Sequence, residues 1–505
     1  MIVDVSATGH TVDESVDVVV VGSGAGGAPL AASLAERGFS VALLEEGRQV
    51  SKPDFNRKLG DMFRLMYRDQ GITSTLGFPG VPLPLGCTLG GTTTINSGTM
   101  FRTPDRVLHR WGRDLGLRGV TPEDLAPYYE RVERDTHVQP VKPHLWGKNA
   151  DVIRRGAGAL GLSHGPLHRN VSDHCKGSGV CCFGCPEDGK QPMHLTYIPR
   201  ADAAGARIYT RVKVKRVLVE RGVAVGVEGH AAHGVTRDAA RSVRVRVRAR
   251  AVVVACGAVY SPVLLLSNGL ANQSGELGKN LTIHPASRVA ALFDEELDGW
   301  RGVPQGYMVD EYKDEGIMLE GAQGPPDLIG PGLPFVGREF KRLVSELRHI
   351  AIFGVMVSDT SHGRVWNVAG KPVMTYQLNR FDTERMVKGV GVLARIYFAA
   401  GAKRVMPSVY GFTDMRRPDD VAIFTGSEVR ASDLELMAFH PLGTCRMGVD
   451  PRRSVVDEDL RAHDLRDLWV VDGSVFPSSL GVNPQETIMA FSLRAADRLA
   501  AQLGG

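Results

Sequence analysis

The chain has 505 residues, 60 of them basic and 56 acidic, for a net charge of +4. So small an excess gives no general attraction to nucleic acid or to an acidic membrane surface. The length exceeds one simple core, so two domains, or one domain with large insertions, are expected.

Met1 to Ser15 lacks a cationic start followed by an apolar core, so no secretory signal is read. There is no run of eighteen apolar residues, and no transmembrane helix is expected. Both readings favour a cytoplasmic location. The first strong element is Val18-Val19-Val20-Val21, an apolar run suited to a strand buried on both faces of a parallel sheet. Gly22-Ser23-Gly24-Ala25-Gly26-Gly27 follows, and Ala28 to Arg37 reads as a helix stopped by Gly38. Pro29 falls in its first turn, where an amide has no helical acceptor to lose. Ser40 to Leu44 is a second strand, ending at Glu45.

A second unit runs from Thr210 to Leu266. Val212, Val214, Val217 and Val219 have strand spacing, and Ala251 to Ala255 is a further apolar strand. Between them, Val243 to Arg250 alternates valine or alanine with arginine. That predicts a strand with one wet, cationic face, without the aromatic residues a single-strand binding surface uses. Leu468 to Val471 is the last strand, and Pro484 to Gln502 the last helix. Strands returning from distant parts of the chain suggest a discontinuous cofactor domain of residues 15–104, 202–285 and 435–505. Residues 105–201 and 286–434 would build a substrate domain.

Gly22, Gly24 and Gly27 form GxGxxG between a strand and a helix. In that setting the first glycine permits the turn, the second admits a pyrophosphate, and the third packs helix on strand. Free amides at the helix start favour phosphate, and Glu45 stands where an acid accepts from an adenosine ribose. The motif alone does not separate NAD from FAD, so an NAD-dependent dehydrogenase stays open.

Leu89-Gly90-Gly91-Thr92-Thr93-Thr94-Ile95-Asn96-Ser97-Gly98 resembles the first signature of the glucose-methanol-choline (GMC) oxidoreductases, and Gly257 to Leu265 resembles their second. Leu277 to Pro285, His440 to Gly448, Val471 to Ser474 and Gly481 to Pro484 resemble later blocks, in family order. The resemblance implies bound FAD, with the flavin against Gly90, Gly91 and Asn96. It puts Val214 near the adenine, and Asp472 and Gly473 beside the ribityl and phosphate groups. The expected fold is an α/β, Rossmann-like FAD-binding domain joined to an α+β substrate domain with an antiparallel sheet.

The resemblance also implies a catalytic pair, His440 and Asn483. Alcohol oxidation removes a hydroxyl proton and a hydride from one carbon, and a neutral imidazole suits the proton. A neutral amide can hold the developing alkoxide. Asn483-Pro484-Gln485-Glu486 also reads as an N-cap, a proline at N1 and a glutamate at N3, which would occupy the amide differently. His284, before Pro285, reads as structural. The expected reaction takes an alcohol CH–OH to an aldehyde or ketone, with oxygen, a quinone or a partner protein as electron acceptor. Lyase or decarboxylase chemistry on the same flavin, or a non-catalytic flavin-binding subunit, are the alternatives.

Four of the seven cysteines lie between Cys175 and Cys185. The spacing of Cys175, Cys181 and Cys185 resembles that of membrane-associated sugar and polyol dehydrogenases of the family, in which three cysteines hold a [3Fe-4S] cluster. Packed thiols, a labile disulfide or zinc are the other readings. Leu328, Ile329, Leu333 and Phe335, in the loops from Gly324 to Val336, could form an apolar lid.

Overall fold

The computed structural model describes residues 1–8, 10–232 and 243–504; the expected unit from Thr210 to Leu266 therefore lies partly outside the described residues. The fold is mixed α/β, as expected, and is built on two large sheets. In the first, the strands Ile2–Asp4, Arg207–Thr210, Val41–Leu44, Val12–Val21 and Arg244–Val254 lie side by side and parallel. The Val18 to Val21 run is the inner end of a longer strand, and it is buried while the outer end alternates.

Arg244–Val254 changes partners along its length. Its first half pairs antiparallel with Val223–Ala231, which pairs in turn with Val212–Glu220. Its second half pairs parallel with Leu468–Val470. The expected cationic face is present: Val245 and Val247 are buried, while Arg244 and Arg248 face water. They pair with Glu228 at 2.6 Å and Glu220 at 2.9 Å, so the arginines neutralise the sheet's own carboxylates.

The helix after the glycine turn spans Gly27–Ala35 and is buried on every side, between the sheet and the last helix, Gln485–Leu503. Gly38 ends it as read. At φ +88° it lets the Phe39 amide reach back to Leu34 O at 3.2 Å.

The second sheet runs Arg404–Pro407, Ala286–Leu292, Ile350–Val357, Ile317–Gly321, Tyr307–Val309, His164–Pro166, with every pair antiparallel. The helix Arg380–Ala399 covers one face with Met386, Val390, Leu393 and Ile396. Among the described residues no helix is long and apolar enough to cross a membrane.

Candidate active site

A cavity of about 970 Å³ opens where the carboxyl ends of the parallel strands meet the uncovered face of the antiparallel sheet. Gly22, Gly24, Glu45, Gly91, Asn96, Val214, Asp472, Gly473, His440 and Asn483 all line it. Gly27 and Gly90 stand just behind the wall. A Cβ on Gly27 would overlap Gly22 O, which is the helix-to-strand contact expected of the third glycine. Gly22 sits at φ +105° with no room for a side chain against Ala255 O. A Cβ on Gly24, by contrast, would clash with nothing, its nearest neighbour being Gly91 Cα at 4.0 Å.

Ser23 joins these segments. Its hydroxyl donates to Glu45 Oε2 at 2.6 Å and accepts from the Gly90 amide at 2.9 Å. Glu45 also accepts from the Ser23 amide at 3.1 Å and the Gly47 amide at 2.7 Å. Burial raises its pKa, and these donors oppose the rise. Glu46, unremarked in the sequence, lines the cavity too. Burial works against its charge, but Arg68 at 2.8 Å and Lys213 at 2.7 Å hold its pKa down to about 2. Asp472 accepts from the Ser474 amide at 2.8 Å and from the Gly257 amide, at the start of helix Gly257–Ser267, at 2.9 Å. Burial raises its pKa as well. The Asn96 side chain is spent on structure, donating to Gln485 Oε1 at 2.8 Å and accepting from the Gly98 amide at 3.0 Å.

At the other end, His440 and Asn483 meet: the imidazole Nε2 lies 3.3 Å from the Asn483 amide group. Asn483 does not cap the last helix. Pro484 takes the N-cap position without a side-chain cap bond, and the amide is left to the cavity. With its nitrogen turned away from His440, that amide donates to Glu320 Oε1 at 2.8 Å and Oε2 at 3.3 Å. Glu320 also accepts from Gln305 Nε2 at 2.9 Å. Burial pushes its pKa up to about 7, with the Asn483 bond opposing. Burial pushes His440 down to about 4, so its imidazole is neutral near neutral pH. His284 holds the turn before Asn483, its Nε2 accepting from the Leu480 amide at 3.1 Å and the Gly481 amide at 2.8 Å. Its ring stands edge-on to His440 at 5.3 Å.

The lid reading divides. Leu328 and Ile329 line the cavity. Leu333 is buried and Phe335 partly so, in a cluster with Leu343 and Met406.

The cysteine segment does not fit the expected cluster. Among the described residues no group of three His, Cys, Asp or Glu side chains could hold a metal ion, and all the cysteines are free thiols. Cys181 Sγ faces Arg169 at 3.3 Å, and Cys185 Sγ accepts from the Lys190 amide at 3.5 Å. The segment buttresses the turn from Thr94 to Asn96 instead. The buried Lys190 ammonium donates to Thr94 O at 2.9 Å, Asn96 O at 2.6 Å and Cys181 O at 3.0 Å.

A parallel sheet with a phosphate-type turn, opening onto a His–Asn pair at the wall of one cavity, is the architecture of a dinucleotide-dependent enzyme. Residues 63–286 and 359–492 each match a family described as GMC oxidoreductase, and residues 17–53 match an FAD binding domain. An uncharacterised GMC-type oxidoreductase of Mycobacterium tuberculosis is 38% identical over 97% of this chain and 76% of its own. A long-chain-alcohol oxidase of Arabidopsis thaliana is 28% identical over 94% of this chain and 67% of its own. Paromamine 6'-oxidase of Streptomyces fradiae is 29% identical over 96% and 92%. Pyridoxine 4-oxidase from Mesorbium loti shares the fold, with a TM-score of 0.72 at 19% identity over 95% of this chain and 98% of that one. The chain belongs to the GMC oxidoreductase family and is an FAD-binding oxidoreductase.

Proposed function

We propose that the protein oxidises the CH–OH group of a small alcohol to a carbonyl, with His440 accepting the hydroxyl proton. The observation that carries this is the His440–Asn483 pair, 43 positions apart in sequence and 3.3 Å apart at the cavity wall, with the imidazole neutral. Bound FAD would supply the hydride acceptor, held by the backbone of Gly22, Ser23, Gly24 and Gly91 for its phosphates and ring and by Val214 for its adenine, all of which line the cavity. His440 removes the proton, and an Asn483 N–H holds the substrate oxygen, fixing the carbon. The names of the alcohol-oxidising relatives support this substrate class.

The chain division at 15–104, 202–285 and 435–505, against 105–201 and 286–434, is part of the same reading. It is supported by the parallel sheet drawing its strands almost wholly from the first set and the antiparallel sheet from the second.

The test is anaerobic mixing of the FAD-loaded protein with benzyl alcohol, 1-octanol, glucose, choline and a sterol, following the flavin absorbance. At least one should bleach it, and His440→Ala should slow bleaching by about 10³-fold with FAD retained. Equal rates in the two proteins would remove His440 from the mechanism.

A further inference from the structure

The Asn483 amide can sit either way round, and each way demands a different proton on its neighbours. With its nitrogen toward Glu320, it donates to a carboxylate at 2.8 Å and its oxygen accepts from a protonated His440 Nε2 at 3.3 Å. With its nitrogen toward His440, it donates to a bare Nε2 at 3.3 Å. Its oxygen then faces Glu320, and only a carboxyl proton on Glu320 can satisfy that contact. The neutral imidazole carries one proton, so the two arrangements are opposite tautomers of His440. His440 Nδ1 is buried with no hydrogen-bond partner, so nothing on that side of the ring fixes the choice.

We propose that the proton on Glu320 sets, through the Asn483 amide, whether His440 presents a bare Nε2 or an Nε2–H to the cavity. Glu320 is thus a positioning residue, and the inference rests on the alcohol-oxidising reading of this site. In the carboxyl form Nε2 carries no proton and its lone pair meets only the long 3.3 Å contact from Asn483, so an alcohol hydroxyl that displaces this contact finds a base and an amide N–H on the same side, as proton removal and alkoxide stabilisation require. In the carboxylate form Nε2 is already protonated and cannot take the hydroxyl proton. Gln305 leaves room for both forms: it engages Oε2 at 2.9 Å, so the proton can reside on Oε1, the oxygen nearer Asn483.

The surroundings of Glu320 are suited to this. Its strand neighbours across the sheet are Met308 and Gly354, neither ionisable. Beyond Asn483 the titratable groups are His440 and His284, both kept neutral by burial. Arg288, on the strand Ala286–Leu292, is engaged by Glu435. Among the described residues no cation therefore pins Glu320 as a carboxylate, and burial places its titration at about 7.

The test uses FAD-loaded protein labelled with ¹⁵N-histidine, the His440 signals being assigned by their loss in His440→Ala. From about pH 5 to about pH 9 the proton of His440 should move from Nδ1 to Nε2. Glu320→Gln should hold it on Nδ1, because the glutamine amide donates to Asn483 as the carboxyl does. Flavin reduction by the best alcohol of the panel should fall about tenfold per pH unit above the transition in wild type, and stay level in Glu320→Gln. An unchanging tautomer in wild type, or a transition that persists in Glu320→Gln, overturns the proposal. The wild-type titration decides alone should Glu320→Gln lose its FAD. If no alcohol bleaches the flavin, the alcohol-oxidising reading fails while the tautomer titration still judges the switch.

Discussion

The two ends of the cavity hold their titratable groups in different ways. At the dinucleotide end each carboxylate meets several donors, although Arg68 Nε and Ser474 Oγ there have no partner. Ser23 bridges Glu45 to Gly90, Asp472 is ringed by the Ser474 and Gly257 amides, and Glu46 is clamped by Arg68 and Lys213. At the His440 end, buried atoms are left over: His440 Nδ1 and His284 Nδ1 have no partner. A site that holds a cofactor gains from rigidity, whereas a site that moves protons needs groups whose protonation is not already decided.

The sharpest break at the dinucleotide end is Gly22→Ala. The left-handed φ of +105° and the overlap with Ala255 O act together, so folding should lose about 3 kcal/mol or more. Denaturant unfolding checks this, and a wild-type midpoint would show that the turn is not tight.

Acid should separate the ends by pH window. His440 has a folded pKa of about 4, below the ordinary 6.5. The stability tied to its neutral form is complete above 6.5 and lost as pH falls toward 4, by about 3 kcal/mol. Glu46 has a folded pKa of about 2, below the ordinary 4.5, so its contribution survives to 4.5 and is lost only below that. Urea midpoints measured against pH should therefore lose part of their slope in the upper window for His440→Asn, with His284 and His194 keeping the rest, and in the lower window for Glu46→Gln. A single shared window would erase the distinction.

What the sequence made legible follows the same divide. The glycine turn, the strand before it and Glu45 could be read because backbone geometry dictates residue type locally. Glu320 could not. It sits in Ile317–Gly321, a short and otherwise apolar strand, and gains its meaning only from the sheet register that aims it at Asn483. Nor did local pattern place Asn483, whose N-cap signature is real in spelling but is overridden because Pro484 occupies the cap position. The cysteines show the limit of spacing. Cys175, Cys181 and Cys185 have a ligand-like interval, yet turns at Gly177, Gly179 and Gly184, all with positive φ, direct the segment to packing against Arg169 and Lys190. Ser23 carried a signal that was available, since a hydroxyl between the first two glycines can satisfy the acid at the end of the next strand.

The smallest expected effect on stability is the most discriminating for cofactor binding. Gly24→Ala adds a methyl group without a clash, at an ordinary φ, in van der Waals contact with Gly91 Cα at 4.0 Å. Folding of the FAD-free protein should change by less than about 0.5 kcal/mol. The methyl group would nevertheless narrow the cavity that Gly24 and Gly91 both line, where the proposed reading puts the cofactor phosphates. FAD retention through gel filtration should fall while the FAD-free melting temperature holds. If Gly24→Ala keeps its FAD as wild type does, this part of the cavity is not the phosphate path, and the paired end of the cavity would owe its rigidity to folding alone.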